Sequence, residues 1–169
     1  GTQATKFPST VKRVADAGNE IGNHSYKHEN LPKLSEGAIE ASINKTNEIL
    51  RQYSGQSVRL VRPPYGATSG SVKPALKATG QPSILWSIDT LDWKTKNTHN
   101  TVNVVLTQVK DGDVILMHSI YKQTAEAAEQ IVPALKERGY QLVTVSELAK
   151  ARGVSLQAGK NYGSFRKKK

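Results

Sequence analysis

An α/β fold built on parallel strands is what this sequence predicts, and three observations predict it. Apolar residues switch repeatedly between helical spacing and short β-branched runs. Glycine and proline punctuate those segments where helices begin and strands end. The residues able to carry chemistry fall at or just past the C-terminal ends of the predicted strands, the edge on which βα barrels assemble their sites. Strands alternating with helices argue for a parallel sheet, open or closed into a barrel.

Pro8 to Ala17 carries Val11, Val14 and Ala15 at helical spacing, with Pro8 suited to a first turn and Gly18 to a stop. A short extended piece, Glu20-Ile21-Gly22-Asn23, then leads to His24-Ser25-Tyr26-Lys27-His28. Ser35 reads as the N-cap of a helix to about Tyr53, with Ile39, Ile43, Ile49 and Leu50 near one face. Val58 to Val61 reads as a strand, ended by the loop Arg62-Pro63-Pro64-Tyr65-Gly66. A helix over Ser71 to Thr79 and a strand over Ser83 to Ile88 follow. After them come Asp89-Thr90-Leu91-Asp92-Trp93 and a polar loop, Lys94 to Asn100.

Val102 to Val109 predicts another helix, and the Val-Ile-Leu run within Asp113 to Met117 a buried strand ahead of His118. Thr124 to Arg138 is amphipathic, with Gly139 as its stop. A strand over Gln141 to Val145 and a helix capped by Ser146 close the series. From Leu156 onward there is no periodicity. Residues 154–169 are therefore expected to be a basic tail following one domain over 1–153.

At 169 residues the chain is long enough to bury a real core. Hydrophobic residues make up 37%, and no apolar stretch approaches bilayer length, so no membrane span is expected. Lys and Arg total 24 against 14 Asp and Glu, a formal charge of +10, which favours anionic surroundings. The basic residues are dispersed and the aromatics do not interleave with them, which argues against a nucleic-acid platform. The one dense basic run, Arg166 to Lys169, reads as solvated. With no cysteine, disulfides and thiolate metal sites are excluded.

His24 and His28 lie four residues apart, and imidazoles so spaced can aim nitrogens at one point about 2 Å from each, as a zinc-type cation requires. Spacing alone is more often that of two ordinary surface or partly buried histidines. What strengthens the metal reading is the ordered series that follows: Arg-Pro-Pro-Tyr-Gly at 62–66, Asp89 to Trp93, and Leu116-Met117-His118.

These motifs, His-Ser-x-x-His, Arg-Pro-Pro-Tyr-Gly, Asp-x-x-Asp-Trp and Leu-x-His in this order, resemble the polysaccharide deacetylases of the NodB-homology type, carbohydrate esterase family four. The likeness runs to about Gly153. Trp86 to Lys94 is most similar to bacterial peptidoglycan N-acetylglucosamine deacetylases. The resemblance implies a distorted, incomplete (β/α) barrel, and a divalent metal, usually zinc with cobalt as a substitute, that serves to remove acetyl groups from sugar amides. Chitin N-deacetylation and xylan O-acetyl ester cleavage are the neighbouring activities, and a non-catalytic glycan-binding homologue is the reading from another class. The polymer implied places the protein at the bacterial wall, outside the membrane.

The family's first motif, a Thr-Phe-Asp-Asp stretch supplying the base and a third metal ligand, has no counterpart here, because no two aspartates are adjacent. The barrel is accordingly expected to lack its first one or two strands, with those aspartates on an N-terminal fragment of the same precursor. By resemblance His24 and His28 are metal ligands, and Arg62 holds the base carboxylate. Tyr65 offers its backbone N–H to the developing oxyanion. His118 is the general acid for the leaving nitrogen, Asp92 bonds its other ring nitrogen, and Trp93 and Leu116 wall an acetyl pocket. Asp89 reads equally as a strand-end cap, and His99 as exposed and inert.

Overall fold

A computed structural model describes residues 1–167. In chain order the helices are α1 (Thr2–Lys6), α2 (Pro8–Asp16), α3 (Glu36–Ser54), α4 (Val72–Ala78), α5 (Asp92–Thr95), α6 (Thr98–Gln108), α7 (Lys122–Glu137) and α8 (Val145–Ala151). The strands are β1 (Ser83–Ile84), β2 (Ile88–Asp89), β3 (Ile115–Leu116) and β4 (Asn161–Tyr162). The chain forms two compact units, Gly1–Leu85 with Val154–Tyr162, and Trp86–Gly153 with the described residues from Gly163 onward.

In the first unit, single bridge positions do most of the work of a sheet. Asn23 bridges Val61 and Val61 bridges Ser83, both in parallel. β1 then pairs in parallel with β4, Ser83 opposite Asn161 and Ile84 opposite Tyr162. The expected strand over Val58 to Val61 is thus reduced to the one paired position at Val61. α3 covers this ladder. Ser35 caps it by accepting the Ala38 N–H, and Gly55, at φ 70°, closes it. Its inward stripe of Ile39 and Ile43 packs with Leu31, Val61, Val72, Ala75 and Leu76. Burying each of these larger aliphatic side chains contributes about 1.5–3 kcal/mol.

In the second unit β2 and β3 pair in parallel, Ile88 opposite Ile115 and Asp89 opposite Leu116. α6 and α7 bury Val105, Ala127, Ile131 and Leu135 against one another, with Ile115, Met117 and Tyr140 alongside. α6 starts earlier than apolar spacing suggests, because the Asn97 side chain accepts the Asn100 N–H and draws the polar residues Thr98 to Thr101 into the first turn. The Asp113 to Met117 run keeps only two residues in β3.

Gln141 to Val145 is not a strand. Leu142 and Val143 are about half exposed, and the segment runs straight into α8. That helix is capped by Thr144 and not Ser146: Thr144 accepts the Glu147 N–H while Glu147 accepts the Thr144 N–H, a reciprocal box.

The expected tail over 154–169 is also corrected, as far as the described residues go; Lys168 and Lys169 lie outside them. Residues 154–162 complete the first unit through β4. Further on, Ser164 bridges Asp113 in antiparallel fashion, and Arg166 ion-pairs with Asp113 at 2.6 Å, so Arg166 is not a free solvated charge. The Phe165 N–H donates to Gly112 O, and a side chain at Gly112 would strike the Phe165 and Arg166 backbone 2.5–2.6 Å away. Two-residue pairings and backbone contacts impose no side-chain period, so nothing in the local pattern announced them.

Phe165 itself is 4% exposed. Phe165→Ala is expected to lower unfolding free energy by about 3–5 kcal/mol in denaturant melts, as core aromatic truncations do; a solvated tail would give no change.

Candidate active site

The first unit positions a histidine pair and an arginine through one buried asparagine. Asn23 is 1% exposed, and its amide donates to Ile43 O at 2.9 Å and to Asn47 Oδ1 at 2.7 Å. Its Oδ1 accepts the Ser25 N–H at 2.8 Å. Along the backbone, Asn23 donates to Leu60 O and accepts from the Arg62 N–H, each at 2.8 Å. These bonds fix where the next residue begins. His24 therefore leaves the ladder beside Arg62, and its Nδ1 bonds the Arg62 carbonyl oxygen. A carbonyl only accepts, so Nδ1 is the protonated nitrogen in this bond.

His28 does not lie on a helix with His24. The loop between them passes through the left-handed region at Ser25 (φ 64°) and again at His28 (φ 59°). Such residues each cost on the order of 1–3 kcal/mol unless their surroundings hold them. The outcome is two exposed imidazoles with ring centroids 4.9 Å apart, crossing at 76°. Tyr65 stands edge-on to His28 at 4.8 Å. It occupies the turn after Pro63 and Pro64, at φ 61° and ψ 8°, with 67% of its surface exposed.

Arg62 lies half-buried behind this loop, donating at 3.4–3.5 Å to Ile84 O and Leu85 O. Burial lowers its pKa by penalising the charged form. Among the described residues no carboxylate reaches ion-pair distance of its guanidinium. Nor, among those residues, is there any group of three or more His, Cys, Asp or Glu able to hold a metal. The donor set therefore fits a divalent cation in its two imidazoles and stops there.

The second unit pairs a buried carboxylate with an imidazole. β2 and β3 end side by side, tied by a bond from Thr90 Oγ1 to Leu116 O at 2.8 Å, so the segments following them emerge together. One carries Asp92, the other His118. Asp92 is 1% exposed and receives four hydrogen bonds. Its Oδ1 accepts the Trp93 N–H at 2.9 Å and takes His118 Nδ1 at 2.8 Å. Its Oδ2 accepts the His118 N–H at 2.6 Å and the Thr124 hydroxyl at 2.7 Å.

Burial pushes the Asp92 carboxyl up, but the bonds from His118 and Thr124 outweigh it and hold the group below the usual carboxylate range. With Nδ1 bound to Asp92, His118 leaves Nε2 for an incoming group, and its side chain is one-third exposed. Leu116 is buried and Trp93 is 47% exposed, so of the two expected pocket walls one lies in the core. Asp89 accepts the Leu91 N–H at 2.9 Å, the strand-end cap. His99 sits exposed in the first turn of α6.

The structure thus gathers His24, His28, Arg62 and Tyr65 in one unit and Asp92, His118, Trp93 and Leu116 in the other. Two positioning residues went unread in the sequence. Asn23 sits directly before the histidine motif, where a buried polar residue at a strand end is a detectable signal. Thr124 lies 32 residues from Asp92 and carries no local signal.

This α/β fold and these motif residues are those of the carbohydrate-esterase family 4 type. The chain belongs to the polysaccharide deacetylase family, whose sequence profile matches residues 1–84. It is 40% identical over 148 residues to peptidoglycan-N-acetylmuramic acid deacetylase PdaC of Bacillus subtilis, and 37% identical over 162 residues to peptidoglycan-N-acetylglucosamine deacetylase PgdA of Listeria monocytogenes. Those alignments cover 88% and 96% of this chain but only 31% and 34% of those proteins, so the chain spans about a third of their length. A shorter peptidoglycan-N-acetylglucosamine deacetylase of Bacillus cereus, 34% identical, is covered over 71% of its length.

Among solved structures, B. subtilis PdaC matches with a TM-score of 0.85 at 39% identity, over 90% of this chain and 74% of that one. A family 4 acetyl xylan esterase from Clostridium thermocellum, in complex with a cobalt ion, matches at 0.86 with 29% identity, covering 94% and 78%. BA3943 of Bacillus anthracis, a CE4 family pseudoenzyme, matches at 0.80 with 29% identity, covering 96% and 54%. The expectation of an α/β fold of this type is met.

Proposed function

We propose that this chain carries the metal-holding and proton-delivering parts of a metal-dependent hydrolase that removes N-acetyl groups from N-acetylglucosamine in peptidoglycan. The observation that supports it most is the His118 ring, held at Nδ1 by the buried Asp92 carboxylate with Nε2 left over for chemistry. Expelling an unprotonated amine anion from an acetamide is prohibitively slow. An imidazole that delivers a proton to that nitrogen removes the obstacle near neutral pH.

His24 through Nε2, and His28 beside it, are the residues that would hold the cation. Zinc is proposed, with cobalt as a substitute, and its chemistry when bound is to polarise the acetamide carbonyl and activate water. Tyr65 offers its backbone N–H to the oxyanion from a turn that two prolines stiffen, so the donor needs little reorganisation. Arg62 holds the base carboxylate, for which its half-buried, unneutralised guanidinium is suited. We place that carboxylate and the third ligand on a polypeptide outside these 169 residues. The +10 charge suits an anionic bacterial wall as the site of action, outside the membrane. No helix among the described residues is long and apolar enough to cross a bilayer.

Acetate release from peptidoglycan, chitin and acetylated xylan tests the reading, with the chain assayed alone and co-expressed with a segment bearing the Thr-Phe-Asp-Asp motif. Zn²⁺-dependent release from peptidoglycan by the complemented chain, abolished by chelation, is the expected result. Release indifferent to chelator, or confined to another polymer, overturns it. A second reading, a non-catalytic glycan-binding homologue, is favoured by the two-imidazole donor set and by the likeness to a pseudoenzyme. Polymer binding with no acetate release after complementation selects it.

A further inference from the structure

The histidine loop has an attachment that the roles above leave unused. Ser25 to Glu29 belongs to no helix or strand, so its backbone N–H groups find partners in side chains or solvent. Ser42, at 9% exposure on the inward face of α3, accepts the Tyr26 N–H at 3.0 Å and donates its own hydroxyl proton to Glu29 Oε1 at 3.1 Å. The other carboxylate oxygen, Oε2, accepts the Lys27 N–H at 2.9 Å. Glu29 then donates its N–H to Ser25 Oγ at 3.3 Å. One serine on a long helix and one carboxylate therefore bond the chain on both sides of His28, which keeps a left-handed backbone.

We infer that Glu29 and Ser42 are positioning residues that set the angle and spacing of the His24 and His28 rings for a divalent cation. This rests on the proposal above that those two imidazoles hold one. Residues that orient metal ligands typically change affinity 10–100-fold when removed.

The test is Zn²⁺ affinity of the chain complemented with the Thr-Phe-Asp-Asp segment, by titration calorimetry, alongside amide hydrogen exchange over residues 25–29. Ser42→Ala retains the Glu29 charge, so it separates positioning from electrostatic attraction. It is expected to weaken Zn²⁺ binding about tenfold and to raise exchange at Tyr26, with exchange within α3 unchanged. Glu29→Ala should weaken binding at least as much, and Glu29→Gln, which keeps one acceptor oxygen, should recover part of the loss. A Ser42→Ala chain binding Zn²⁺ like the parent overturns the inference. So does a Glu29→Gln chain as impaired as Glu29→Ala beside a normal Ser42→Ala, which would leave only charge. If the complemented parent chain binds no Zn²⁺, or its His24→Ala form binds it unchanged, the metal reading itself fails and this role falls with it.

Discussion

Replacing His118 with alanine is expected to slow acetate release by the complemented chain by about 10²–10⁴-fold, the range associated with loss of a general acid. Zn²⁺ affinity should be unchanged, because His118 is not among the residues proposed to hold the cation. The fold should tolerate the change: the ring is one-third exposed, and the His118 backbone N–H still reaches Asp92 Oδ2. Substrates with a better leaving group than an amine should lose much less, since they need less protonation. An O-acetylated sugar assayed beside an N-acetylated one is therefore the diagnostic pair. Equal losses on both would assign His118 to substrate binding, and full retention on both would remove it from the chemistry.

Asp92→Ala carries a large expected cost to stability. The substitution strips the acceptor from the Thr124 hydroxyl, the Trp93 and His118 N–H groups and the His118 ring at one stroke. Breaking such a buried charged network costs about 3–5 kcal/mol. The pH dependence fixes the cause. The Asp92 carboxyl is held below its ordinary value in the folded state. Its contribution is therefore fully present above the unfolded-state value of about 4 and is lost as pH falls through the folded-state value. The gap between parent and Asp92→Ala in denaturant melts should be constant near neutrality and shrink below about pH 4. A gap that persists undiminished in strong acid would mean that lost packing, and not the ionised carboxylate, is responsible.

Much of the helical framework was readable without coordinates because its signals are local. Pro8 and Gly18 bracket α2, Ser35 caps α3, and Gly139 ends the segment after α7, each by a preference that depends on a few neighbouring residues. The candidate residues were readable for a different reason: ordered motifs are a property of sequence alone. Strands were read poorly. A two-residue strand such as β1 or β4 offers no period to detect, and its partner lies up to 78 positions away, as Ser83 and Asn161 do.

Residue identity and order alone specified the two imidazoles, the proline-stiffened turn and the aspartate ahead of His118, together with the family they belong to. How those groups are held required the folded chain. The Ser42–Glu29 strap, the bonds from His118 and Thr124 to Asp92 and the contact of Phe165 with Gly112 all join residues far apart along the chain. Hydrogen bonding and burial depend on distance in space, and only packing brings such residues within reach.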